Sequence, residues 1–504
     1  MALMPVTDAV YLLSETRQTP THVGSLQVYE MPDGAGLDWL REQYTWLLSH
    51  DEPHTLFARR PARSLRTLGQ WAWEHDDQFD IEYHVRHSAL PEPGRVRELL
   101  EIGSRLHGSL LDRSRPLWEY HLIEGLEGNR FAVYNKVHHA VIDGVSGLRL
   151  LARTLSSEPD GETRPPWAPR ASAMLPTTPA AAPTVVEPAP TGGGGPAAGN
   201  GAAEGRTDDG DGGRSILPLG LLNGAARGAR DALGVTPALL GQAQRAIGDD
   251  LAAFPFKAPA SMLNTRITGA RRVAADTWSL QRVQTLGRAV GATLNDVVLA
   301  MCAGALRRYL SDLDALPDDP LVAMVPVSTR SDSGAGGNAV GAILCSLATT
   351  TTDPGERLSR IQESMKIGKA TIRDRSPLQV TLLSAANMAP MSLMALLGGG
   401  GGLRPAFNLI ISNVPGPRKT LYLNGARLQG IYPMSVPYHG QALNITITSY
   451  VDNLEFGLTG CRRNVPRLQR LLGHLEESLV ELEHAAGERP LARRRRPAAA
   501  PARH

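Results

Sequence analysis

Apolar and polar positions change rhythm along this chain often enough to mark out most of its secondary structure. Residues 22–31 and 118–126 carry the composition of strands, and residues 131–137 alternate as a strand with one covered face does. Residues 99–111 and 144–155 instead return apolar side chains every three or four positions, the spacing of a helix with one buried side. Further on, residues 294–313 and 355–372 read as helices, and 272–280, 321–328, 340–348 and 407–413 as strands. Two hairpins follow. Residues 421–423 turn through Asn424-Gly425 into 427–432, since an Asn-Gly pair takes the positive φ that a type I′ turn demands twice. Residues 442–450 turn through Asp452-Asn453 into 454–460, and an amphipathic helix from 465 to about 483 closes the pattern. The order neither alternates strictly between strand and helix nor stays all-β, so the expected class is α/β with mixed sheets.

Composition divides this pattern in two. At 504 residues the chain exceeds what one core ordinarily spans. Residues 156–215 are rich in Pro, Ala, Gly and Thr and include a run of four glycines, so too little apolar surface is on offer to offset the entropy of ordering them. They read as a disordered linker between an N-terminal subdomain, residues 1–155, and a C-terminal one, residues 216–486. Residues 487–504, with Arg493 to Arg496, read as a basic disordered tail.

Charge and cysteine then narrow the class. Lys plus Arg number 52 against 50 Asp plus Glu, a balance that gives no reason to expect a nucleic-acid partner. Cys302, Cys345 and Cys461 form no paired framework, which fits a reducing compartment. The N-terminus shows no basic region before an apolar run, and no stretch is apolar for long enough to span a bilayer. The expected location is cytoplasmic, with contact to the inner membrane or lipid droplets at the periphery.

The stretch that carries chemistry is Val137-His138-His139-Ala140-Val141-Ile142-Asp143-Gly144. Two histidines end an alternating strand and an Asp-Gly pair opens the next helix, which puts side chains at the lip of a cleft. An imidazole deprotonates an alcohol well because its pKa lies near working pH, and a neighbouring helix N-terminus disfavours its charged form. Adjacent strand residues face opposite ways, so only one of His138 and His139 addresses a given cleft. Packing is the competing reading of the pair, and a helix N-cap that of Asp143. A metal is not expected, because no third ligand stands at the spacing a zinc site requires.

His-His-x-x-x-Asp-Gly is also the signature of the coenzyme A-dependent acyltransferase superfamily. Beyond it, the chain resembles the bacterial wax ester synthase/acyl-CoA:diacylglycerol acyltransferase family almost from end to end, linker and tail excepted. The resemblance is carried by Pro5-Val6-Thr7-Asp8 with Thr21-His22-Val23-Gly24, by Tyr83-His84-Val85-Arg86, and by Ser114-Arg115-Pro116-Leu117-Trp118-Glu119. It continues through Leu263-Asn264 with Arg271-Arg272, Asn295-Asp296, Val325-Pro326-Val327-Ser328 and Ser412-Asn413-Val414-Pro415-Gly416-Pro417. It implies two chloramphenicol acetyltransferase-like subdomains with an active-site tunnel at their interface. It implies His139 as general base, His138 and Asp143 as supports, Gly144 as a loop-shaping residue whose amide faces the oxyanion, and Asn295 as an orienter. The substrates implied are acyl-CoA with diacylglycerol or a long-chain alcohol, at a membrane or droplet surface, with no cofactor beyond the thioester substrate; no residue of the pattern is assigned to coenzyme A.

Within that resemblance Trp118 reads first as a packing residue, and the segment Ser412 to Pro417 as a crossover. Direct transfer is expected rather than an acyl-enzyme, because no Gly-x-Ser-x-Gly elbow occurs. The methionine-bearing residues 377–397 fit either a core helix or an acyl-chain lining. Residues 216–222 and the arginine tail fit contact with anionic lipid. Two other readings stay open here. One is a peptide-type condensation domain sharing the histidine motif, and the other is a non-catalytic lipid-binding or droplet-coat protein.

Overall fold

The computed structural model describes residues 2–169, 258–328, 340–373 and 404–487. The first half opens with β1 (Ala2–Leu3), α1 (Val6–Ser14), β2 (His22–Glu30) and α2 (Leu37–Leu48). β3 (Arg59–Ala62), β4 (Ala72–His75), the single turn α3 (Ile81–His84) and β5 (Val85–Ala89) follow. α4 (Val96–Gly108), β6 (Trp118–Leu126), β7 (Arg130–His138) and α5 (Gly144–Thr154) complete it. The second half runs β8 (Arg271–Ser279), α6 (Leu280–Ala289), α7 (Leu294–Ser311), β9 (Val322–Ser328), β10 (Val340–Ser346) and α8 (Pro354–Arg373). It ends with β11 (Leu409–Val414), β12 (Tyr422–Leu423), β13 (Ala426–Met434), β14 (Leu443–Tyr450), β15 (Asn453–Cys461) and α9 (Arg470–Ala485).

Two six-stranded sheets result, ordered β12-β13-β2-β7-β6-β5 and β10-β9-β11-β14-β15-β8, beside a small antiparallel sheet β1-β4-β3. Both large sheets are mixed: β5 lies parallel to β6, and β11 parallel to β9 and β14. The mixed α/β class expected from the element order is the one observed.

The sheets do not follow the sequence blocks. After β11 the chain leaves the second sheet through Pro415-Gly416-Pro417, adds β12 and β13 to the edge of the first sheet, and returns as β14. β13 pairs antiparallel with β2, from Arg427 opposite Glu30 to Met434 opposite Gly24. The 412–417 segment is thus a crossover between sheets. A Cβ on Gly416 would lie 2.1 Å from the Ser449 carbonyl oxygen, so only glycine lets the crossover pass so close to β14. Residues 216–486 are therefore one block of sequence that supplies strands to two sheets.

Both hairpins form. Asn424 and Gly425 take φ of 46° and 87°, the type I′ pattern. The second turn sits one residue earlier than expected: Tyr450 pairs with Asn453, and Val451 holds the positive φ of 51°. Residues 156–169, assigned to the linker on composition, are packed. Ser156 exchanges both backbone hydrogen bonds with Tyr422, and Trp167 is buried, stacked on Trp118 with ring centroids 5.0 Å apart. One tryptophan supplies apolar area that an average over sixty residues hides. Residues 170–215, 216–222, 377–397 and 488–504 lie outside the described residues.

The core of the second half surrounds α7, whose residues from Val297 to Leu306 are all buried, which explains an apolar pattern on every side. Another cluster joins the halves: Leu26, Leu99 and Tyr134 meet Val273, Tyr432 and Met434. A third cluster, Met4, Leu12, Trp73, Leu111, Leu117 and Ala140, fastens α1 and the small sheet to the loop after β7.

Candidate active site

β7 pairs with β2 so that His138 stands opposite His22, and the strand ends there. The next residue, His139, donates its backbone N–H to the Thr21 carbonyl at 2.9 Å, which carries the loop one residue past the strand. The two imidazoles then part, as alternation requires. His138 is fully buried and His139 half-buried.

His138 works on the backbone. Its Nδ1 accepts from the Ala140 N–H at 3.1 Å, so the proton sits on Nε2, 2.9 Å from Thr21 Oγ1 and 3.5 Å from Glu15 Oε1. Glu15 in turn accepts from the Thr21 amide at 3.0 Å and from Arg113 Nε and Nη2 at 3.1 and 3.0 Å. Burial alone would raise the Glu15 carboxyl; His138, the Thr21 amide and Arg113 outweigh it and hold the pKa below the usual carboxylate range. A chain of hydrogen bonds thus runs from Arg113 through Glu15 and His138 to the amide beside His139.

His139 is placed differently. Its ring stacks on Tyr11 of α1, centroids 4.3 Å apart and planes 12° from parallel. Burial lowers its pKa, against a hydrogen bond to its own backbone carbonyl and the Asp143 charge, both of which raise it. Only Nδ1 can reach the residue's own carbonyl, which leaves Nε2 as the basic atom. The result is an imidazole biased toward its neutral form, with Nδ1 held by its own backbone.

Asp143 is the N-cap of α5, its Oδ1 accepting from the Ser146 N–H at 2.6 Å. It stabilises the helix start and also faces Tyr11, whose hydroxyl is pushed up by burial and then by Asp143 and Asp8. A Cβ built on Gly144 meets no atom within 4 Å, so the first turn of α5 opens on free space. Its amides stand at the positive end of an eleven-residue helix that begins five residues after His139.

Asn295 belongs to the second half. It occupies the first turn of α7, where Thr293 and Asp296 form the capping box, and α7 packs on α6, α8 and α9. Among the described residues no side-chain hydrogen bond joins it to the histidine loop. Two further residues of the second half are tied to this region. Ser435 accepts from His107 Nε2 at 2.9 Å, and Tyr438 has its hydroxyl pushed up by burial and by Tyr11 and Glu15, which puts it within electrostatic range of both. Trp118 packs as expected: its Nε1 donates to the Phe57 carbonyl at 2.9 Å and its ring stacks on His84.

Sequence reasoning passed over Tyr11, Glu15, Arg113 and Tyr438. The first two lie between the segments at 5–8 and 21–24 already noted, and that proximity was the available signal. Among the described residues no three His, Cys, Asp or Glu side chains gather as a metal site.

Two family models match this chain, the wax ester synthase/diacylglycerol acyltransferase catalytic domain over residues 3–298 and the C-terminal domain of the same family over 336–483. A Mycobacterium tuberculosis protein named a probable diacylglycerol O-acyltransferase is 47% identical over 490 residues, spanning 97% of this chain and all of that one. The solved wax ester synthase/diacylglycerol acyltransferase of Marinobacter aquaeolei is 40% identical, with a TM-score of 0.73 over 97% of this chain and all of its own. The first condensation domain of a calcium-dependent antibiotic synthetase shares the fold, with a TM-score of 0.55 at 17% identity over 96% of both chains. The histidine loop, its buried support and the two matched domains together show that the chain belongs to the wax ester synthase/diacylglycerol acyltransferase family.

Proposed function

We propose that this protein transfers a long-chain fatty acyl group from coenzyme A to diacylglycerol, giving triacylglycerol, and that it also esterifies long-chain alcohols to wax esters. The observation that carries the reading is a half-buried imidazole at 139, depressed in pKa, stacked on Tyr11 and set beside an open helix start. Names of the relatives above support diacylglycerol as the acceptor. Both matched models belong to a lipid-esterifying family, which favours a lipid alcohol over a carrier-borne peptide.

In the proposed step the acceptor hydroxyl gives its proton to His139 Nε2 while its oxygen attacks the thioester carbonyl carbon. The resulting oxyanion lies toward the amides of Gly144 and the first turn of α5, where the helix dipole stabilises negative charge. The carbon–sulfur bond then breaks, and the departing thiolate takes the proton from the imidazolium. His138 and Asp143 hold the loop and the helix start, and the acyl-CoA thioester is consumed as substrate, so the step calls for no cofactor. A tunnel between the halves would admit the thioester from one side and the alcohol from the other. General-base assistance of this kind supplies about 3–5 kcal/mol.

Purified full chain incubated with radiolabelled palmitoyl-CoA and either diacylglycerol or hexadecanol tests the proposal. Labelled triacylglycerol, with wax ester as a second product, is expected. Consumption of neither acceptor would refute it and leave a binding protein of the same fold.

A further inference from the structure

Of the large apolar side chains exposed among the described residues, Leu3, Val10, Leu13, Leu65 and Leu68 belong to one lobe, and only Leu37, Val96 and Leu110 lie outside it. The lobe consists of α1 and the small sheet β1-β4-β3, whose β3–β4 loop carries Leu65 and Leu68. These two are 95% and 90% exposed, close to the limit for any leucine. Nor are they on a slack tail. Ser64 and Thr67 close a capping box around the turn, and the Leu68 N–H donates to the Leu65 carbonyl at 3.1 Å. Leu68 also holds a φ of 49°, a conformation that disfavours any residue with a Cβ. A leucine displayed to water on a strained and fastened turn is poorly explained by folding alone.

The loop that carries these leucines is basic, although Arg60 at its base is paired with Glu74 of β4 at 3.3 Å. Arg59, Arg60, Arg63 and Arg66 stand within eight residues with no acid among them. The Arg59 and Arg63 guanidiniums lie over Trp73 and Trp71, 4.6 and 4.0 Å from the ring centroids. Trp73 is buried, but Trp71 is part-exposed, and apolar tips beside an arginine and a part-exposed tryptophan are the make-up of a surface that sits in a lipid interface. The lobe is also bound to the histidine loop, since Met4, Leu12 and Trp73 share a cluster with Ala140, and Tyr11 of α1 stacks on His139.

We infer that this lobe docks the protein on an anionic phospholipid surface, with Leu65 and Leu68 inserted below the headgroups and Arg63 on the phosphates. The inference rests on the proposed lipid acyl transfer, for which it names the face that meets the substrate phase. An acceptor dissolved in that surface would then enter beside the base instead of crossing water.

The test is co-flotation of the full chain with phosphatidylglycerol-containing vesicles and with pure phosphatidylcholine vesicles. Wild type should float with the anionic vesicles. L65D/L68D should lower the bound-to-free ratio by about tenfold or more, and R63E should reduce the preference for anionic over neutral vesicles. L37D and V96D, which place the same charge at exposed apolar sites elsewhere, should float as wild type does. Circular dichroism checks that L65D/L68D is folded, and the milder L65S/L68S should show the same direction of change. Absent wild-type flotation, or unchanged flotation of both leucine double variants, would overturn the inference. So would a dimer in light scattering that L65D/L68D dissolves, because the leucines would then cover a second copy of the chain. Turnover of detergent-dispersed diacylglycerol, measured on the same samples, separates the two readings. An inactive protein that floats defeats the acyl-transfer reading alone, and an active protein that does not float defeats the docking alone.

Discussion

His139 and His138 are neighbours with opposite tasks, and the difference lies in what each ring touches. The ring of His138 is committed at both nitrogens, to the Ala140 amide and to Thr21 beside Glu15. His139 stacks on Tyr11, and among the described residues no side chain is hydrogen-bonded to its Nε2. Glu15→Gln removes the charge that Arg113 and His138 Nε2 face, so the loop should loosen without losing its base. The expected outcome is a kcat lower by about tenfold with KM for acyl-CoA within about twofold, read from steady-state kinetics. A KM rise at unchanged kcat would instead make Glu15 part of the binding surface. At Gly144 the prediction separates stability from rate. A methyl group there meets no protein atom, so Gly144→Ala should melt within a degree or two of wild type, in line with small effects at uncrowded surface sites. Turnover should still fall, because the same space is where the thioester carbonyl must come. Equal activity in the alanine variant would move the oxyanion away from this helix start.

Elements with strong periodicity were legible in advance, and those without it were not. β6 matches the expected strand end for end, and β7 and α5 match to within a residue, although β6 and the first half of β7 are buried on both faces rather than one. α1, α2 and α6 were missed; in α1 and α2, exposed apolar residues, Val10, Leu13 and Leu37, blur the helical pattern. The histidine loop was readable because its motif is contiguous, whereas Glu15 and Arg113 reach it through space from ninety-eight residues apart. The crossover of β12 and β13 into the first sheet depends on pairings that no local window contains. It also sets a tight passage, since a Cβ on Gly457 of β15 would lie 1.8 Å from the Pro433 carbonyl oxygen of β13. Gly457→Ala must therefore push the two sheets apart, and a loss of about 2–3 kcal/mol is expected in urea unfolding. A variant within about 0.5 kcal/mol of wild type would show that the sheets slide past each other freely.

For the whole molecule, buried histidines set how stability varies with pH. Burial lowers His84 to about 4 and His107 to about 3, and pushes His22 well below its ordinary value of 6.5. In the unfolded chain these rings protonate near pH 6.5, while in the folded protein they stay neutral to lower pH. The unfolded state therefore binds more protons in that window, and stability falls as pH drops from 6.5 toward 4 and 3. Glu119 continues the trend in acid. Burial would raise it, but His121, Lys136 and Arg86 hold it at about 2, so its contribution is lost as pH falls from about 4.5. A Tm lower by at least about 5 °C at pH 5 than at pH 7 is expected in calorimetry. A flat Tm over that range would mean the histidines are hydrated rather than packed. The central claim, that this assembly positions one imidazole to deprotonate an alcohol, is tested most directly by turnover of palmitoyl-CoA with diacylglycerol in the full chain and in His139→Ala. The account predicts a folded variant whose kcat is reduced by about a hundredfold or more, and activity within about tenfold of wild type would contradict it.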